Sequence, residues 1–187
     1  MTSATNISHK PGRMSALAFW RDRRGVSTVE FAITLPVLLL IFLGMIEFGE
    51  VFTADRRITI VANSAADLVA RTKTISDSDL NDIADAVDEI LRPYPTAPLG
   101  LVVSSIVTDE NNNPSVAWSW SDGASARTAG AAFTLPQAGL TEPNTSIIVA
   151  EVTYQFTPSV GLFLTGGTEL DAVAYYRPRL AEAVVKQ

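Results

Sequence analysis

Sixteen consecutive residues, Phe31 to Ile46, carry no charge, and a glutamate stands at each end of them, Glu30 and Glu47. As an α-helix that run spans about 24 Å, short of the roughly 30 Å hydrocarbon layer of a bilayer. Extending it through Val26–Val29 and Phe48–Gly49 supplies the length but draws in both carboxylates. Three structures suit such a run: a cleaved secretory signal, a retained transmembrane helix, or a buried helix of a soluble protein. The basic flank and the lack of polar alternation argue against the soluble helix. A secretory signal needs small residues just after its apolar core. Cutting after Ala54 puts Phe52 at the third residue before the break, which is a poor fit. A retained helix is therefore expected.

Charge gives that helix a direction. The 187-residue chain has fourteen basic and twenty acidic residues. Residues 1–25 hold five of the basic ones, Lys10, Arg13, Arg21, Arg23 and Arg24, against Asp22 alone. Only Arg56 and Arg57 follow the run closely. This bias predicts a cytoplasmic amino end and a body on the far side of the membrane. The body is acidic, so it repels nucleic acid rather than binding it. Inside the run, Pro36 lacks an N–H and crowds the carbonyl of Ala32, so it is expected to kink or loosen one turn.

Glu30 needs its own explanation. If the chain began at Val26, directly after Gly25, Glu30 would be its fifth residue. A new ammonium at Val26 could then pair with Glu30 of a neighbouring subunit or of the same one, offsetting the cost of a carboxylate among lipid tails. The plainer alternative is that Glu30 marks the cytoplasmic edge of the helix at headgroup level.

The stretch "RRG" followed by "VSTVEF" resembles a prepilin-peptidase processing site, with cutting between Gly25 and Val26. Together with "LPVLLLIFLGMIEFG", Arg23–Gly49 closely resembles TadE-like proteins, the minor pilins or pseudopilins of the tight-adherence (Tad) pilus system. The resemblance continues weakly through "RRITIVANSAADLVAR" and "LDAVAYYRPRL", and residues 95–145 carry no matching motif. It implies that Gly25 and Val26 flank the cleaved bond and that Glu30 positions the subunit during assembly. Implied partners are the membrane, the prepilin peptidase, other Tad pilus subunits and the inner-membrane assembly platform. The implied location is a single pass of the bacterial inner membrane, with a periplasmic carboxyl-terminal domain that can enter a pilus. Neither a cofactor nor enzymatic activity is implied. Glu47, in "IEFG", matches a common acidic residue with no role attached, and by itself reads as a polar helix end at the outer interface. The chain's length suits TadE-like or TadF-like members better than the larger TadG-like ones. A leader of twenty-five residues is long, and a start at Met14 would leave a shorter, still basic one.

Beyond the anchor, Ile58, Val61, Ala62, Ala65, Leu68, Val69 and Thr72 recur at helical spacing, predicting a helix over about 52–74. It would extend the membrane helix outward, with a break near Gly49. A second helix over about 77–91, capped by Ser76 or Asp77, would bury Leu80, Ile83, Ala84, Val87, Ile90 and Leu91, and "RPYPTAP" would end it. From about residue 99 the pattern changes to strands: "LGLVVSSIV", "SVAWSW", "SIIVAEVTYQF" and "LDAVAYYR". The expected fold is α+β and pilin-like: a long amino-terminal transmembrane helix, a second helix, then a small antiparallel sheet. One sheet face packs on helix and the other meets water or a neighbour. The resulting organisation is a basic leader over 1–25, a transmembrane assembly helix over 26–50 and an exported domain over 51–187.

Signals for chemistry are weak. There is no cysteine, and the one histidine, His9, lies in the leader, which removes the usual serine–histidine and histidine–metal arrangements from a processed chain. "DENNNP" (109–114) offers alternate oxygen ligands, but Pro114 and Trp120 stand where a calcium loop needs glycine and glutamate, so a turn is expected. The acids of "SDSDLNDIADAVDEI" read as a solvated helix face. Trp118 and Trp120 share one strand face, which suits a core better than a ligand platform. "TPSVGLFLTGG" (157–167) reads as a loop covering the sheet edge, with a partner contact as the other option. The leading expectation is a structural pilus component. The alternative is a permanently anchored periplasmic binding or enzymatic module using the tryptophan face.

Overall fold

The computed structural model of the chain describes residues 26–136 and 139–187. Two compact units divide it, the first ending at Phe42 and the second running Leu43–Gln187. Helix α1, Val26–Ala70, carries residues of both. In the first unit every residue from Val26 to Phe42 is exposed, including Ile33 and Leu39. A helix apolar on all sides finds its solvent in lipid or in other helices, and this helix is long and apolar enough to cross a membrane.

Within the second unit, α1 turns amphipathic. Gly44, Glu47, Ala54, Ile58, Val61, Ala62, Ala65, Ala66, Val69 and Ala70 are buried, a stripe at spacings of three and four. The helix passes through Gly49 without the expected break. One glycine costs a helix only about 1 kcal/mol, and α1 is uninterrupted on both sides of it. The helix also stops at Ala70, short of residue 74. Arg71 and Thr72 donate backbone N–H groups to Leu68 and Val69, a tightened last turn, and Thr72 spends its hydroxyl on the Val69 carbonyl at 2.9 Å. Strand β1 (Thr74–Ile75) follows.

Helix α2, Asp77–Leu91, begins with a capping box. Ser76 Oγ accepts the Asp79 N–H at 3.2 Å, and the Asp79 carboxylate accepts the Ser76 N–H at 2.9 Å. Leu80, Ala84, Val87 and Leu91 form its buried face. Strands β2 (Leu99–Thr108), β3 (Pro114–Asp122), β4 (Ser146–Phe156) and β5 (Thr168–Tyr176) make an antiparallel sheet in the order β3-β2-β4-β5. The short β6 (Val185–Lys186) returns to pair in parallel with β1. An α+β fold with helices followed by an antiparallel sheet is thus the observed class.

Alternation in β4 assigns the two sheet faces. Ile148, Ala150, Val152, Tyr154 and Phe156 join the main core with α1 and α2, whereas Ile147 and Val149 belong to a second cluster with Ile106, Val116 and Phe133. That second face is not left to water. The segment after β3 folds back over it: Phe133 donates its N–H to the Pro114 carbonyl and Val116 donates to Ala131, both at 2.9 Å. Arg127 stacks over the Phe133 ring at 4.9 Å and grips Glu151 through two hydrogen bonds of 2.7 and 2.5 Å. A register shift helps. Ser105 pairs with Trp118 but Ile106 with Val116, so Ala117 is an extra residue, and Val116 and Trp118 fall on opposite faces.

Candidate functional site

Helix α1 carries two carboxylates near the ends of the apolar run, and their surroundings are opposite. Glu30 is exposed. One turn before Glu30, Val26 lies on the same helix face, and Glu30 itself is bonded through its main chain. Its backbone carbonyl accepts the Thr34 hydroxyl at 2.7 Å. Pro36 lies within the helix, which continues on both sides of it, and Pro36 has no N–H for the Ala32 carbonyl. Gly25 and the arginines before it lie outside the described residues, as does His9.

Glu47 is fully buried. The chain between β4 and β5 wraps over it and delivers three successive backbone N–H groups to its carboxylate. Leu162 donates at 3.1 Å, Phe163 at 3.0 Å and Leu164 at 2.6 Å. Gly161, immediately before them, has φ 64, a left-handed turn that glycine adopts without strain. One helical turn on, Glu50 accepts the Ser159 N–H at 3.0 Å, and its carbonyl accepts the Tyr94 hydroxyl at 3.2 Å. One turn back, Gly44 leaves room for the Phe163 ring, since a Cβ there would stand 2.8 Å from Phe163 Cε2. Phe163 stacks on Phe48 with centroids 6.3 Å apart. Gly44, Glu47 and Glu50, three apart, therefore form one contact line that holds the 157–167 loop. Burial of a carboxylate is tolerable because the amides replace water.

Glu47 is the residue that sequence reasoning undervalued. It is no polar helix end at a wet interface. The signal available was the three-residue repeat in "GMIEFGE", but its partners are backbone amides of a loop remote in sequence, and these have no side-chain signature. The tryptophans lie where expected of core residues. Both pack against the main core, and Trp118 Nε1 donates to the Val184 carbonyl at 2.7 Å. The "DENNNP" segment is a turn closed on itself: Asp109 accepts the N–H of Asn111 at 2.9 Å and of Asn113 at 2.8 Å. Those bonds hold the Asp109 carboxyl below its ordinary range. Among the described residues no cluster of histidine, cysteine, aspartate and glutamate is arranged to hold a metal ion.

The family model described as "TadE-like protein" matches residues 25–67. That segment covers most of α1, with Val26, Glu30, Pro36 and Glu47 inside it. TadE-like proteins are a structural, pilus-associated family not known for catalysis, and the likeness over this helix suggests a Tad pilus-related component. The helix itself is compatible with a single-pass membrane anchor. No curated protein and no solved structure matches the chain.

Proposed function

We propose that this chain, TadE-like over residues 25–67, is a minor pilin or pseudopilin of a Tad-type pilus, a structural component rather than an enzyme. It is inserted with its basic leader in the cytoplasm and its carboxyl-terminal domain in the periplasm. The prepilin peptidase cuts between Gly25 and Val26. The subunit then assembles with other Tad subunits, on the inner-membrane platform, through the first half of α1. Glu30 meets the new ammonium of Val26 and sets how far one helix slides past the next. Pro36 loosens the turn at Ala32, which lets the helix adjust to its neighbours.

The observation that carries this reading is the contrast between the two carboxylates. Glu47 is satisfied within its own subunit, whereas Glu30 is exposed on a helix that is apolar all round. A carboxylate placed so among apolar groups calls for a cationic partner, and an amino terminus four residues earlier supplies one. The intact mass of the protein from native membranes tests the reading. Loss of residues 1–25 is the expected result. A chain still carrying its leader, in a strain whose pili form normally, contradicts it.

A further inference from the structure

Residues 157–167 are apolar where a connecting loop is ordinarily polar. Val160, Leu162 and Phe163 point outward, 43%, 40% and 53% exposed. On α1, Met45, Phe48 and Phe52 stand at helical spacing on one face, all three exposed, and Phe163 stacks on the middle one. The outcome is a continuous apolar surface made by loop and helix together. The polar groups at the same level are turned the other way: the carboxylates of Glu47 and Glu50 point into the loop and bind its backbone N–H groups. A surface made to face water would show the carboxylates and hide the phenylalanines.

The position of this surface names what it faces. Counted from Phe31, with Glu30 at headgroup level while the subunit rests in the membrane, the charge-free run ends at Ile46 and falls about 6 Å short of the hydrocarbon thickness, or roughly four residues of helix. The next four residues are Glu47, Phe48, Gly49 and Glu50. They are the stretch where the loop covers the carboxylates and adds apolar side chains. We infer that residues 158–164 are a membrane-seating foot, lodged in the bilayer interface at the carboxyl end of the apolar run, with Val160, Leu162 and Phe163 against lipid and Glu47 sealed beneath. This rests on α1 being a membrane anchor but not on processing or on entry into a pilus.

The chain has no cysteine, so single cysteines can report position. Val160→Cys, Leu39→Cys in the apolar run and Glu110→Cys, at the other end of β2, are each labelled with a polarity-sensitive fluorophore. The full-length protein is placed in nanodiscs of phosphatidylethanolamine and phosphatidylglycerol. Quenching by a nitroxide-bearing lipid is compared with quenching by a water-soluble nickel chelate. The expected result is that the label at 160 behaves like that at 39, with emission shifted to the blue and lost to the lipid quencher, while the label at 110 is lost to the chelate. A label at 160 that follows 110, with 39 still in lipid, overturns the foot and leaves the anchor standing. Protection of 160 from both quenchers assigns the surface to a protein neighbour and also overturns it. If 39 itself is reached by the chelate, the anchor fails together with the foot.

Discussion

Removing the carboxylate of Glu47 leaves the N–H groups of Leu162, Phe163 and Leu164 without their acceptor. Glu47→Ala should raise amide exchange over 158–164 and lower the melting temperature, with the central strands β2 and β4 still the slowest to exchange. Normal protection of the loop in that variant would show that the contact is incidental. Gly44→Val should act in the same direction, because the Phe163 ring already occupies the space its side chain needs. At the start of α2, Ser76→Ala removes a cap and should destabilise the domain by about 1 kcal/mol. Asp79 beside it is held below its ordinary pKa of 3.8, first by the Ser76 hydroxyl and then by the Ser76 N–H. A depressed carboxyl contributes stability above its unfolded pKa and loses it as pH falls through the folded value. The gap in melting temperature between the wild type and Asp79→Asn should therefore be full at neutral pH and close below 3.8.

At the scale of elements, repeated patterns were easy to read and single contacts were not. The stripe Ile58–Val61–Ala62–Ala65–Val69 announces its helix because each member faces the same core. The four main strands likewise show as apolar runs between turn residues. The end of α1 was misjudged because Thr72 fits the stripe, while its hydroxyl bonds the Val69 carbonyl past the last turn. The cover over the second sheet face was not legible at all. It depends on Phe133 and Arg127, in a stretch without periodicity, and on one extra residue at Ala117. The β1–β6 pair was missed for a similar reason, since strands of two residues carry no pattern. Trp118 links the sheet to the segment before β6 through the Val184 carbonyl. Trp118→Phe should cost about 1 kcal/mol and speed exchange at Val185 and Gln187, which donate to Lys73 and Ile75. Unchanged exchange there would mean that the ribbon holds without the indole.

For the whole molecule, we assign α1 two jobs, one at each end of its apolar run. Gly44, Glu47 and Glu50 bind the helix into its own domain, and in the proposed function Glu30 serves a neighbouring subunit. Variants at the two positions should therefore separate folding from assembly. The part of the candidate site proposed at Val26, Glu30 and Pro36 is drawn from linear sequence, on which processing and membrane insertion would act. Its intramolecular half was hidden, because the acceptor at Glu47 meets its donors only after the sheet has formed. The most direct measurement is the share of Glu30→Ala recovered with sheared pili compared with its share in the membrane, at wild-type protein level. The expected result is normal insertion, wild-type loop protection over 158–164 and loss of the protein from the fibre fraction. Recovery of Glu30→Ala in fibres at the wild-type share would contradict the role given to Glu30.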